Sequence, residues 1–555
     1  MERRALAVRA MIKKHQPKTD NLDPRKWMRE ETVRGFADFI LNKHSETETD
    51  NSFDNKEMLL DAEKQFMEAA KTNDVVTMKT LARGLNANAK NVDNRTALHY
   101  AVAGKNKEAV QLLLQRRVKV DQQDKYGVAP IHLAAWFGSL DILKLLVQAG
   151  AEQKIENKEG LNIMHCAAIN NHTDIVEYIV NDLQMKELDK NDQLGQRAFA
   201  LAAEHGCVEM MDMLIVPYDM ATMKANKSGD TPLHLAARNG HSDAVQSLLQ
   251  SFDTRDEVNM DGETALYQAS EKSHEECVLI LLEADCDPNI LTTAKCSALH
   301  PVSEGGDTSL VQLLLDYKAH TDFQNQHLEA PIHLAVKNSH IPVIHSLLAA
   351  GCNINVADKR CQTAMHVAAE LARIEVVEML LKARVDLTLQ DRQGKTALGV
   401  AVRADEVIIV DMIVKAERYY AWRMANPELD ESIHSEIPLT FKLDHRNSTK
   451  QLRSMAWHLA YKLLKAGDWK RLAEHWGFTK EQVSAIEEQW TGQQSYQEHG
   501  NRMLLIWLHR EELAQKNPAL YRELYQGLIL IGNKKAADTI RMEADNSSSK
   551  SCSIS

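Results

Sequence analysis

The sequence predicts an all-α chain: a long solenoid of helix pairs joined by hairpin loops, followed by a small helical bundle. Three observations carry that prediction. Between Thr96 and Thr396 one short phrase returns ten times, as Thr96-Ala-Leu-His99, Thr231-Pro-Leu-His234, Ser297-Ala-Leu-His300, Thr363-Ala-Met-His366 and their relatives. Its starting positions are 96, 129, 162, 197, 231, 264, 297, 330, 363 and 396, a step of 33 residues except on either side of 197, where the step is one or two longer. A fixed period of this length marks stacked supersecondary units, each of which packs on its neighbours. Thirdly, beyond Trp422 the phrase stops, and from about Ser448 to Arg541 apolar residues recur at a helical spacing of a different pattern.

The bulk composition narrows the function classes. A chain of 555 residues is too long for one compact core, but a repeat array escapes that limit. The net charge is -12, and no long Lys/Arg block interrupts the array, so the electrostatic footprint of a nucleic-acid binder is missing. The eight cysteines form no CxxC pair and no paired framework, which predicts a reducing, cytoplasmic setting. No apolar run approaches the 18 residues needed to span a bilayer, and no secretory apolar segment opens the chain. Met1 to Gln16 is basic but carries Glu2 and no Ser, so it is read as a solvated arm instead of a mitochondrial presequence.

Residues 1–61 form an N-terminal arm with no repeat phrase, and Asn42 to Lys56 is rich in Ser, Thr, Asp, Glu and Asn, as a partly disordered segment would be. Counting back one period from Thr96 lands on Glu63, and Gln65-Phe66-Met67-Glu68-Ala69-Ala70 reads as a capping repeat whose outer face meets water. The unit Gly127-Val-Ala-Pro-Ile-His-Leu-Ala-Ala-Trp-Phe-Gly138 shows how the phrase makes structure. Gly127 gives the hairpin turn, Pro130 suits the first helical position, Ala134 and Ala135 permit close helix approach, and Gly138 ends the helix in the left-handed conformation. A second helix follows over Leu140–Val147, closed by Gly150.

These units resemble ankyrin repeats over residues 62–425, about ten full repeats behind an N-terminal cap. The resemblance implies antiparallel helix pairs whose hairpin loops project to one side, and a concave face that binds other proteins. It makes the Thr and His of the phrase structural. His99, His132, His165, His234, His300, His333 and His366 recur one repeat apart and so do not converge on a metal, and no metal or cofactor is expected. The family's variable positions are the hairpin tip and the two residues after Ala-Ala. They assign Lys125, Tyr126, Trp136 and Phe137 as candidate protein-binding residues, because aromatics are enriched at binding hot spots, with Arg238 and Lys272 at corresponding places. Ankyrin repeats are also substrates of an asparaginyl hydroxylase, and Asn355 resembles its target setting. The repeat at Arg197-Ala-Phe-Ala200 breaks the phrase, which makes Asn181 to Asn191 a candidate bend or insertion with looser joints on either side.

Catalytic signatures fail on context. Gly394-Lys395-Thr396 would need a glycine where Leu389 stands to form a phosphate loop, and His274-Glu275-Glu276-Cys277 has Val278 where a zinc helix needs its second His. Neither a kinase catalytic loop nor a Gly-x-Ser-x-Gly elbow is present, so no enzyme is predicted.

Residues 426–447, with Pro427 and Pro438, read as a linker to a domain at 448–541, where Gly467, Gly477, Gly492 and Pro518 punctuate short helices. The order Asp468-Trp-Lys-Arg-Leu-Ala-Glu-His-Trp-Gly477, then Val483 and Ile486, then Met503-Leu-Leu-Ile-Trp507, is similar to the death domain. That implies a six-helix bundle, Trp469 and Trp507 in its core, and association with other death domains through charged patches. Lys470, Arg471 and Arg510 are the candidate binding charges, in a domain holding 14 Lys/Arg against 10 Asp/Glu. The arrangement resembles the ankyrin repeat and death domain-containing family. The tail 542–555 ends in Cys552-Ser-Ile-Ser555, which fits a prenylation signal. The expectation is a non-enzymatic cytoplasmic adaptor with protein partners on both modules and no nucleic acid. The alternative is a membrane-associated tether, should Cys552 carry a lipid.

Overall fold

The structure is a computed structural model that describes residues 59–81, 83–425, 439–443, 446, 449–490, 492–513 and 517–551; at 510–513, 517–519 and 543–551 it describes the backbone alone. Among the described residues there are helices and no strands, with two isolated bridges, Ala357 with Thr363 and Gln390 with Thr396. The chain divides into two compact units between Thr293 and Ala294. The first holds a leading helix pair, Asp61–Thr72 and Val75–Leu81, and six repeats; the second holds four repeats and the C-terminal bundle. Phe66 is buried in the leading pair.

One repeat shows the construction. Helix α1, Pro130–Phe137, begins with a proline whose missing N–H costs nothing at that position, and it buries every residue from Pro130 to Ala135. It stops at Gly138, whose φ of 69° is open to glycine at little cost. Helix α2, Leu140–Gln148, returns antiparallel and buries Ile142, Leu143 and Leu146, one stripe of its surface. Each of these fully buried aliphatic side chains is worth roughly 2 kcal/mol.

The histidine of the phrase ties one repeat to the next. In His99, His132, His165, His234, His300, His333 and His366, Nδ1 accepts from the backbone N–H at the helix start, at 3.0–3.2 Å. With Nδ1 accepting, Nε2 carries the proton and donates to a carbonyl of the following repeat at 2.8–3.2 Å. All seven residues are at most 1% exposed, and burial holds His99 and His132 down at about 4, so these two stay neutral and structural.

The hairpins have their own repeated device. Asp124 Oδ1 accepts from the N–H of Tyr126 and of Val128, both at 2.9 Å, and so folds the loop back on itself. The same double acceptance recurs at Asn91, Asn157, Asp192, Asn226, Asn259, Asn325, Asp358 and Asp391, always five residues before the phrase. At the tip, Lys158 N donates to Tyr126 O of the preceding hairpin at 3.1 Å. A Cβ on Gly127 would stand 2.8 Å from that same Lys158 nitrogen, so the close approach itself demands glycine there.

The irregular joint before Arg197 is packed instead of loose. The second helix, Thr173–Glu177, continues as a π-turn over Tyr178–Asp182, and a short 3-10 turn at Lys186–Leu188 buries Leu188. Asn162 Nδ2 donates to Leu188 O at 2.7 Å, His165 reaches Lys190 O, and Asp189 Oδ1 accepts from Ala198 N at 3.2 Å. The added residues thus make the cross-repeat bonds by a different path. The phrase's missing histidine at Ala200 does not loosen helix Ala198–Glu204, which buries six of its seven residues.

In the second unit the second helices of the last two repeats are unequal. Helix α3, Ile374–Lys382, has the usual length, while the final second helix, α4, runs from Val407 to Ala425, 19 residues. The bundle follows as α5 (Lys450–His458, continued by a π-turn to Leu463), α6 (Asp468–His475), α7 (Lys480–Glu487), α8 (Ser495–Leu513), α9 (Asn517–Leu530) and α10 (Lys534–Ser551). Trp469 and Trp507 lie in its core, and Trp507 stacks on Trp476 with centroids 4.3 Å apart.

Candidate protein-interaction surfaces

On the first unit the sequence-predicted cations are already engaged. Lys125 is exposed, meets Asp93 at 2.5 Å and lies over the Tyr126 ring at 4.9 Å. Arg238 meets Asp230 at 3.2 Å, and Asp230 is buried and also accepts from Asn259 and Gln268, at 2.9 and 3.1 Å. Lys272 pairs with Glu271 at 2.9 Å. Surface pairs of this kind are worth about 0–1 kcal/mol, so a partner's carboxylate can exchange into them. Arg238 differs from the others, because its carboxylate belongs to a buried inter-repeat network.

Trp136 and Phe137 are both half-buried at the end of α1, and the Trp136 carbonyl accepts from His172 Nε2 of the next repeat at 3.0 Å. The backbone at Trp136 is therefore fixed, while both residues remain partly exposed. With the half-exposed Tyr126 they form the aromatic portion of the hairpin-tip and helix-end face.

In the bundle, Lys470 pairs with Glu487 and stands 5.8 Å from the centroid of the Trp469 ring. Arg471 donates to Ile531 O at 2.9 Å, tying α6 to the end of α9. The side chain of Arg510 and all of Cys552 lie outside the described residues. Asn355 is half-buried, and its Oδ1 accepts from Asp386 N of the next repeat at 2.9 Å.

The sequence reading missed a third surface, where α4 meets the bundle. Asp411 Oδ1 accepts from Arg502 Nε and Nη2 at 2.9 and 2.7 Å. Arg418 donates to Trp476 O at 3.1 Å and lies 3.8 Å from the centroid of the Phe478 ring, a cation–π contact. Glu417 accepts from Gln482 Nε2 at 2.7 Å, and Thr396 donates to Glu481 at 3.1 Å. Desolvation raises the Glu417 carboxyl to about 7, against the bond from Gln482, and the nearby Glu481 adds to the rise.

Beside this contact a short strap pins the two together. Phe441 is fully buried among Tyr419, Tyr420 and His509, and its N–H donates to both oxygens of Glu378 on α3, at 3.0 and 3.3 Å. Lys415 donates to the carbonyls of Phe441 and Lys442, and His509 Nε2 donates to Thr440 O at 2.7 Å. Part of the stretch read as a linker is thus buried structure. The available signal was α4 itself: apolar residues at 409, 410, 412–414, 416 and 419 go round most of its circumference, more than one packing face needs.

Among the described residues no group of three His, Cys, Asp or Glu is gathered to hold a metal, and no helix is long and apolar enough to cross a membrane. What the fold and these surfaces define is a solenoid of interaction repeats joined to a helical interaction bundle. A family model of ankyrin repeats (3 copies) matches residues 66–157, 149–222, 216–292, 285–358 and 332–421, and one of the death domain matches 459–544. The chain belongs to the ankyrin-repeat family and carries a C-terminal death domain. It is similar to serine/threonine-protein kinase 12 of Arabidopsis thaliana, 35% identical over 101 residues, which is 18% of this chain and 21% of that protein. The chain thus spans about a fifth of that relative's length. The crystal structure of the human ASB11 ankyrin repeat domain is 24% identical, with a TM-score of 0.36 covering 40% of this chain and 98% of that one.

Proposed function

We propose that the protein is a non-enzymatic adaptor that holds a client on the face made by its hairpin tips and first-helix ends, and engages a signalling partner through its death domain. The observation that carries this reading is the joining of two interaction modules in one chain, the first presenting Tyr126, Trp136 and Phe137 as solvent-touching aromatics on a fixed backbone. Lys125 and Lys272 pair with half-buried Asp93 and exposed Glu271, carboxylates that a client can replace; on the death domain Lys470 pairs with exposed Glu487, and Arg471, bonded to the Ile531 carbonyl, is the neighbouring charge. The setting is cytoplasmic. A prenylated, membrane-held tether is the second reading, and it rests on Cys552-Ser-Ile-Ser555, with hydroxylation of Asn355 as a further candidate modification.

Proximity labelling in cells with three forms of the full chain tests the adaptor: wild type, Trp136→Ser/Phe137→Ser, and Lys470→Glu/Arg471→Glu. The first pair should lose one set of labelled proteins and the second pair another, with little overlap. Identical labelling by all three forms would contradict it.

A further inference from the structure

The death domain makes specific side-chain contacts with α4 of the last repeat. Arg502 is 3% exposed, and within its own domain it donates to Ile486 O at 3.4 Å and to Gln489 Oε1 at 2.9 Å. Those bonds orient the guanidinium so that its Nε and Nη2 edge receives the carboxylate of Asp411 from α4. Seven residues on, and so two turns along the same face of α4, Arg418 covers the Phe478 ring and caps the Trp476 carbonyl at the end of α6. Glu417, next to it, takes the amide of Gln482 on α7. These polar contacts, charges and exchangeable hydrogen bonds of the kind found between domains, lie beside the buried apolar residues of α4 and the Phe441 strap. Everything α4 supplies here is a short helical pattern: an acid, then Glu-Arg six and seven residues later.

We propose that α4 is a resident ligand of the death domain, and that the face built by Trp476, Phe478, Gln482 and Arg502 accepts a partner helix of the same pattern, an acidic residue followed two turns later by arginine, which must displace α4 to bind. This rests on the reading of the death domain as a partner-binding module. It adds that the array itself gates one of that module's faces.

The test uses the full chain, wild type and Asp411→Arg, with a fluorescein-labelled synthetic peptide of residues 405–425 as the probe. The peptide should bind the Asp411→Arg chain at least tenfold more tightly than wild type, because the variant's own α4 no longer fills the face. A peptide that itself carries Asp411→Arg should bind neither chain. In the variant, amides of residues 476–490 should exchange with solvent at least tenfold faster, and the swapped pair Asp411→Arg/Arg502→Asp should restore slow exchange, which separates undocking from misfolding. Equal peptide binding by wild type and Asp411→Arg, unchanged exchange, or a swap that fails to restore protection would each overturn the proposal. None of these results touches the labelling experiment on Trp136 and Phe137, so the adaptor reading stands or falls separately.

Discussion

Glu417 is the residue most sensitive to the contact between α4 and the death domain. It is half-buried, faces Gln482 and Glu481 across the contact, and its carboxyl is raised from its ordinary 4.5 to about 7, chiefly by desolvation. A raised carboxyl binds its proton more tightly when docked than when exposed. Its stabilisation is therefore complete below about pH 4.5 and is lost as pH rises through about 7. Glu417→Gln keeps an oxygen for Gln482 and removes the titration. The prediction is that the variant is more stable than wild type at pH 8 by on the order of 2 kcal/mol, with the difference shrinking toward pH 5, read from amide exchange in α4 and α7. Parallel pH profiles for the two chains would contradict this.

The candidate site was legible in part at this scale. Trp136 and Phe137 stood out because two adjacent aromatics occupy positions where the other repeats carry Arg238-Asn239 or Glu271-Lys272, and both residues are partly exposed. The pairing of Arg238 with buried Asp230 was hidden, since the partner lies eight residues back in a hairpin and looks like an ordinary loop acid. Asp411, Glu417 and Arg418 were hidden for a stronger reason. Their partners Arg502, Gln482 and Trp476 lie 58–91 residues away, and no periodicity connects them.

Among elements, the fold was readable because a fixed period repeats the same local chemistry, so each hairpin and helix pair confirms the last. A second periodic device emerges once the helices are placed. Gly138, Gly206, Gly240 and Gly306 end first helices, and a Cβ on any of them would lie 2.3–2.6 Å from the ring of His172, His241, His274 or His340, one repeat later. His172, His274 and His340 each donate to a carbonyl near the end of that first helix, at 3.0 Å. Where the equivalent residue is not glycine, as at Lys105 and Ser339, the later position is not histidine: it is Ser139 in the one case and Arg373 in the other. Gly and His are thus one joint made by two repeats. Gly138→Ala should destabilise the first unit by about 2 kcal/mol through the ring clash and the left-handed backbone. Adding His172→Ser, the pairing that the chain uses at Lys105 and Ser139, should recover a large part of that loss in urea unfolding. A double variant no more stable than Gly138→Ala would show that the ring is not what requires glycine.

For the molecule as a whole, the division between units does not follow the division between families. The four last repeats and the death domain form one unit: Asp411 of α4 meets Arg502 on α8, Glu417 and Arg418, where α4 extends past the length of an ordinary second helix, meet α7 and the end of α6, and the strap at Phe441 meets His509 on α8. The sequence showed both modules and the order of the death-domain helices, but a boundary read from where a phrase stops says nothing about what the next segment packs on. The physical centre of this unit is the buried charge of Arg502. Removing one partner of such a pair leaves the other uncompensated at a cost of about 3–5 kcal/mol, whereas two independent domains would not notice.

A double-mutant cycle on Asp411→Ala and Arg502→Ala in the full chain, with stability read from amide exchange in α8, measures this directly. A death domain held by α4 predicts that the two substitutions are non-additive, with a coupling energy on the order of 1–3 kcal/mol. Additive effects, with Asp411→Ala leaving α8 unchanged, would contradict it.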